Sequence, residues 1–235
     1  MNLILMQAFW RERFTSPIRV LLLLTLWGFG LLLGFLKRPV PMPGPDLPIW
    51  PILVLGAGVI GRDLSSGVLQ LILARPVGRA EYVFSRWLGL TLAGFAVSLF
   101  GSLIVLPFSL STGGTTLVEA LRLLSEYLLN AAALAAVVTG LSALVAGFGD
   151  LALLLLGYLA GGGMMLVGQF KHIDLLTRLG TEIQHTLIPE FAWKSVTEGG
   201  PHFYPLVLWA STVTLFLLIG VFAMNRKELS YATAG

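Results

Sequence analysis

Cysteine is absent from the 235-residue chain, and charge is scarce: 11% of residues are Asp, Glu, Lys or Arg, against 56% hydrophobic. Without cysteine there is no disulfide, thiolate metal site or thiol nucleophile. An ordinary soluble domain carries roughly 25% charged residues. This chain has too little polar surface to cover a soluble fold of its length. The class is therefore integral membrane, as one domain over 1–235 with no room for a sizeable soluble one. Lysine is rare too. Leu, Phe, Trp and Arg precede Lys37, Lys171, Lys194 and Lys227. None completes the Gly-Lys-Ser/Thr end of a phosphate-binding loop, whose lysine must reach the terminal phosphates. No G-x-S-x-G, H-x-x-x-H or H-E-x-x-H spacing occurs. His172, His185 and His202, with Asp174, Glu182 and Glu190 nearby, read as scattered surface groups, so no metal and no catalytic residue is expected.

What is present is apolar length. A membrane helix needs about 20 mainly apolar residues to cross about 30 Å of hydrocarbon. Six segments qualify: 18–36, 47–61, 83–108, 121–147, 151–170 and 204–224. The second is short, which tilt or bilayer thinning would accommodate. The first follows Arg11 and Arg13 but is longer than a signal-peptide core, and no A-x-A site comes after it, so it reads as a span. Placing the N-terminus in the cytoplasm puts Arg11, Arg13, Arg19, Arg62, Arg75, Arg79, Arg86, Arg226 and Lys227 inside. Lys37, Arg38, Arg122, Lys171, Arg178 and Lys194 then fall outside. That bias orients an inner-membrane protein with both termini cytoplasmic. The net charge of +3 speaks to this orientation and not to nucleic acid.

Residues 1–16 are too short to span. Leu3, Met6, Trp10 and Phe14 recur at helical spacing beside Arg11 and Arg13, which predicts a helix lying in the inner interface; a frayed tail is the alternative. The run "RPVPMPGPDLP" reads as a stiff outer loop. Gly30/Gly34, Ala57/Gly61, Ala136/Gly140 and Gly157/Gly161 are small pairs at four-residue spacing that let helices approach. "AGGGMM" at Ala160–Met165 marks a weak point or bend.

Charges at the outer ends of spans need a reason. Glu119, Arg122 and Glu126 fall on one helix face with Asn130 a turn deeper. They are either a self-neutralised helix end or the polar lining of a pathway mouth. Asp150 is positioned to cap the fifth span. Between spans five and six, Ile173, Leu176, Leu179 or Gly180, Ile183 and Leu187 recur at three- and four-residue steps up to Pro189. They predict an amphipathic helix over the outer mouth, then a short turn over 191–196 with Trp193 at an interface. Ile183, Leu187, Pro189 and Trp193 would form either an inert cap or a gate.

The segment 61–89 is the most polar interruption. Leu64, Val68, Leu71 and Ile72 make one apolar stripe on a helix beginning near Asp63 or Ser65, ended by Pro76, with Arg75 and Arg79 leading into span three. Such a helix suits a lipid surface or a groove in a cytoplasmic partner equally.

Here the chain resembles the membrane subunit of type-2 ABC transporters, the ABC-2 permease family. Members carry an acidic residue and a Ser/Thr-Gly element after span two, an apolar helix, and a Pro-x-x-Arg turn into span three. The corresponding residues are Asp63, Ser66-Gly67, "VLQLILA", Arg75-Pro76-Val77-Gly78-Arg79 and "EYVFSRWLG". Asp63 stands where the family more often has Glu. "FWRERFTSPIR" is similar to the family's elbow helix, and "FAMNRKEL" to its basic exit from span six. The resemblance implies an all-α six-span bundle with an elbow, a cytoplasmic coupling helix and short outer helices. It implies two paired permease subunits, each engaging a separate ATPase that binds ATP and Mg. Asp63, Leu64, Ser66, Gly67, Val68, Leu71, Arg75, Pro76 and Arg79 would couple to that ATPase, with Trp10, Arg11 and Arg13 at the elbow interface. The implied activity is export of a hydrophobic or amphipathic substrate. The alternatives are a force transmitter or metalloprotein-maturation partner of the same fold, as beside nitrous oxide reductase assembly proteins, and, more distantly, a membrane enzyme or a channel without a motor.

Overall fold

In the computed structural model, which describes residues 3–36, 40–74, 77–198 and 203–227, the chain opens on two helices in tandem. α1 (Leu3–Phe14) and α2 (Pro17–Phe35) are separated by a break at 15–16. Pro17 begins α2, where its missing N–H costs nothing, and it disfavours helical geometry in Ser16 before it. α1 turns Phe9 and Arg13 inward, while Leu3, Ile4 and Phe14 stay exposed. Its buried face is thus offset from the stripe expected through Leu3 and Phe14.

The proline-rich stretch after α2 has no regular secondary structure over 40–43 and is strapped onto two later helices. Val40 and Met42 are buried against Val105. The short helix α3 (Ile49–Gly56) follows, then α4 (Gly61–Ser65) and α5 (Val68–Leu73). The segment expected as a span over 47–61 is therefore broken. Eight residues rise about 12 Å, under half the hydrocarbon thickness. Gly58, at φ 64, turns the chain at 57–60. A side chain there would meet the Gly147 carbonyl.

Among the described residues, four helices are long and apolar enough to cross a membrane: α6 (Arg79–Ser111), α7 (Leu117–Leu144), α8 (Gly149–Lys171) and, after two shorter helices, α11 (Tyr204–Arg226). Together with the composition, they suit a multi-pass membrane protein. All regular structure among the described residues is helical. α7 is the central element. A capping box between Thr116 and Glu119 starts it, satisfying two otherwise orphaned N–H groups. Ala131–Ala133 and Ala135–Ala136 narrow it enough for α3, α6 and α11 to pack around it. Gly140 and Gly220 bring α7 and α11 into backbone contact: a side chain on Gly140 would strike the Phe216 carbonyl.

α8 ends at His172, whose left-handed φ of 54 reverses the chain into α9 (Asp174–Leu187). α9 does not lie across the end of the bundle as expected. It runs back antiparallel along α8, so that Thr177 meets Gly168, Gly180 meets Gly161, and Leu187 meets Gly157. Gly157 and Gly161, read as a pair that lets helices approach, lie in this contact seam with Gly168, whereas Gly163, the last glycine of the run read as a bend, faces open space. α10 (Trp193–Glu198) leads to α11. The end carrying α1, α4, α5 and the α7–α8 turn is the elbow end below. The end carrying 40–48 and the α6–α7 turn is opposite it.

Candidate functional site

The elbow end holds a cluster of charges that an apolar bundle has to neutralise internally. Tyr82 and Arg86 stand one turn apart in the first turns of α6, so both reach one oxygen of Asp63. The Tyr82 hydroxyl donates to Asp63 Oδ2, and Arg86 Nη2 donates to the same atom as an ion pair. Asp63 is 6% and Arg86 5% exposed. The Arg86 guanidinium also lies over the Phe9 ring at 5.5 Å and the Tyr82 ring at 5.2 Å. Asp63 or Ser65 was expected to cap a helix. Both sit inside α4 instead, and Ile60 holds the capping position.

The break at 57–61 exposes backbone groups that need partners, and four other elements supply them. Arg13 of α1 donates to the Ala57 carbonyl (2.7 Å) and the Gly58 carbonyl (3.0 Å). Burial pushes its guanidinium down to about 10, still protonated at neutral pH. Asp150 Oδ2 accepts from Gly58 N–H at 2.8 Å. Ser142 Oγ accepts from Ile60 N–H (3.0 Å) and Gly61 N–H (2.9 Å). Gly147 N–H donates to the Gly61 carbonyl at 2.6 Å. Trp10 Nε1 donates to the Gly89 carbonyl at 2.8 Å, fastening α1 to α6. Asp150 does not cap the helix as expected: Phe148 holds that position without a side-chain bond, and Asp150, in the first turn of α8, accepts from Leu151 N–H at Oδ1 while Oδ2 holds the break.

Beyond this anchor, α4 and α5 face outward. They are two short helices, not one, because Gly67 adopts φ 74 between them. That kink rotates the expected stripe. Leu69 becomes the fully buried residue, whereas Val68 is 42% and Leu71 72% exposed. Leu64 and Ile72 pack against the core, and Ser66 is exposed. Arg79 does not face outward with them. Its Nη1 donates to the Met224 and Asn225 carbonyls at 2.9 and 2.8 Å, closing the last turn of α11. Arg62 pairs with Glu12 at 3.0 Å. Arg11 is exposed. Arg75 and Pro76 lie outside the described residues.

At the opposite end the residues read as a pathway mouth or helix end divide. Glu119 turns back to Thr116 in the capping box, and Arg122 is exposed. Glu126 and Asn130 are buried and hold loops. Glu126 Oε1 accepts from Trp193 N–H at 2.7 Å. Asn130 Nδ2 donates to the Pro45 carbonyl (2.9 Å) and the Phe191 carbonyl (3.0 Å), and its Oδ1 accepts from Phe191 N–H (2.6 Å). Tyr127 donates to the Pro43 carbonyl at 2.6 Å. Two non-helical segments thus hang on one helix, which suits irregular backbone inside a membrane. Trp193 Nε1 donates to Ser125 Oγ at 2.6 Å. Of the other gate residues, Ile183 and Leu187 face the α8 glycines, and Pro189 is half-buried.

The sequence reading missed Tyr82, Arg86 and Ser142 as partners. A signal was available for the first two: a charge two turns inside an apolar span, with a hydroxyl four residues before it. Among the described residues no His, Asp or Glu side chains group to hold a metal. At the elbow end α4–α5 is a segment rooted in the core through Leu69 that leaves Leu71 exposed. No family model, curated protein or solved structure matches the chain.

Proposed function

We propose that this chain is the permease subunit of an ABC-2 type transporter, with α4–α5 as the seat of a separate ATPase subunit. The observation that carries the reading is the contrast within α5. Leu69 is 1% exposed while Leu71 is 72% exposed. An apolar side chain facing out beside one rooted in the core suits a groove in a partner. Behind it, Asp63 pairs with Arg86, so displacement of α4–α5 is transmitted to α6. Arg79, bound to the end of α11, links the same motion to the last helix.

In this reading α2, the 40–65 segment, α6, α7, α8 and α11 make six passes, with the elbow end and both termini cytoplasmic. The exposed apolar faces of α2 and α8 suit lipid and a second permease copy. ATP and Mg bind the ATPase, whose closure drives export of a hydrophobic or amphipathic substrate. The test is co-expression with the candidate ATPase. Wild type co-purifies and stimulates ATP turnover. Leu71→Asp abolishes both, while Leu175→Asp, equally exposed on α9, does not. Equal behaviour of the two variants contradicts the assignment.

A further inference from the structure

Arg19 lies in the first turn of α2, just after the α1–α2 break. Its side chain is folded inward: the residue is 9% exposed, and the buried Nη1 has no hydrogen-bond partner. A guanidinium taken out of water demands a counter-charge or acceptors, and among the described residues none accepts from Nη1. The groups that act on it electrostatically are Arg62 and Arg13, both cationic, and Glu12. Glu12 is the one carboxylate among them and is already paired with Arg62 at 3.0 Å. The two terminal nitrogens of Arg13 are committed to the Ala57 and Gly58 carbonyls. The junction of α1, α2 and α4 is thus a cationic recess with one unspent donor, its one carboxylate, Glu12, already paired with Arg62.

We infer that this recess takes the phosphate of an anionic phospholipid, with Arg19 as its principal ligand. Guanidinium binds phosphate through paired, charge-assisted hydrogen bonds. Basic recesses between helices on the cytoplasmic side of a membrane are where such headgroups collect. Arg19 opens an apolar helix and directly follows the elbow, which places it at headgroup depth. The turn and a half of α2 directly after Arg19 presents exposed Leu21, Leu22 and Leu24 along which acyl chains can lie. A free phosphate shares the headgroup chemistry but gains nothing from that apolar wall. The inference needs the membrane placement of α2, not the ATPase.

The experiment is native mass spectrometry and thermal unfolding of the detergent-purified full chain. Phosphatidylglycerol, phosphatidylcholine and inorganic phosphate are added separately. The expected result is retention of one phosphatidylglycerol and a raised unfolding temperature, with neither from phosphatidylcholine or inorganic phosphate. Loss of the paired hydrogen bonds in Arg19→Gln weakens phosphatidylglycerol binding at least about tenfold. Arg11→Gln removes the same charge from the exposed face of α1 and changes binding by no more than about twofold. Without lipid, Arg19→Gln unfolds no earlier than wild type, because it relieves a buried unpaired charge. Equal phosphatidylglycerol binding by wild type and Arg19→Gln overturns the inference. So does equal stabilisation by inorganic phosphate, or earlier unfolding of Arg19→Gln without lipid, which makes the residue structural. Co-purification of the ATPase is unaffected by any of these outcomes.

Discussion

Asp63 of α4 and Arg86 of α6 form an ion pair buried on both sides, and the Tyr82 hydroxyl donates to the same carboxylate oxygen. The pair joins the outward-facing α4–α5 segment to the longest helix of the bundle. Removing one partner strands the other charge in a low-dielectric site. Asp63→Asn is expected to destabilise by about 3–5 kcal/mol. The double change Asp63→Leu with Arg86→Met is expected to recover most of that loss, because it removes both charges. Thermal unfolding in detergent measures both. A double variant no more stable than Asp63→Asn contradicts the view that the stranded charge is what costs.

Asn130 holds two segments at once. Asn130→Leu deletes its bonds to the Pro45 carbonyl and to both backbone groups of Phe191. Each buried group left unpaired costs about 1–3 kcal/mol. Hydrogen exchange is expected to quicken across 188–198 while the middle of α7 keeps its protection. Unchanged exchange there means other contacts suffice to seat the loop.

The α8–α9 seam depends on missing side chains. Gly161→Leu and Gly180→Leu put atoms where the opposing backbone already lies, and α9 is expected to detach from α8, read as faster exchange over 174–187. Gly163→Ala is the control. Its position opens onto space, and the gain in helix propensity stabilises by up to about 1 kcal/mol. If Gly161→Leu leaves α9 protected, the seam is not what holds it.

Gly67 makes the kink between α4 and α5. At φ 74 with open space around it, Gly67→Ala meets no neighbour and pays only the left-handed backbone cost, about 1–2 kcal/mol. The expected outcome is a locally straightened segment in an otherwise intact bundle. ATPase stimulation falls while the unfolding temperature shifts little. A large drop in that temperature would place Gly67 in the global core instead.

Much of the fold was legible because long apolar runs leave few choices. α6, α7, α8 and α11 fall where their runs are, and the three- and four-residue spacing up to Leu187 located α9 to within a residue. The break in the 47–61 segment was not legible. Its cause lies in Arg13, Ser142, Gly147 and Asp150, which are distant in sequence and become partners only after folding. The exposed face of α5 was half legible. The stripe named Val68 and Leu71, but an unbroken helix was assumed, and the left-handed turn at Gly67 substitutes Leu69 as the buried residue. Glu126 and Asn130 were singled out as polar groups on a span that need a reason, as a self-neutralised helix end or a pathway mouth, whereas their partners, the backbones at 45, 191 and 193, carry no side-chain signal.

The central claim is that α5 meets an ATPase through its exposed side chains while its buried ones root it in the bundle. Photo-crosslinking tests it most directly, with a benzophenone amino acid placed in turn at Leu71 and at Leu69 in the full chain co-expressed with its candidate ATPase. The account predicts a crosslink to the ATPase from position 71 and only intrachain products from position 69. Crosslinks to lipid alone from position 71, with the ATPase present and active, would contradict it.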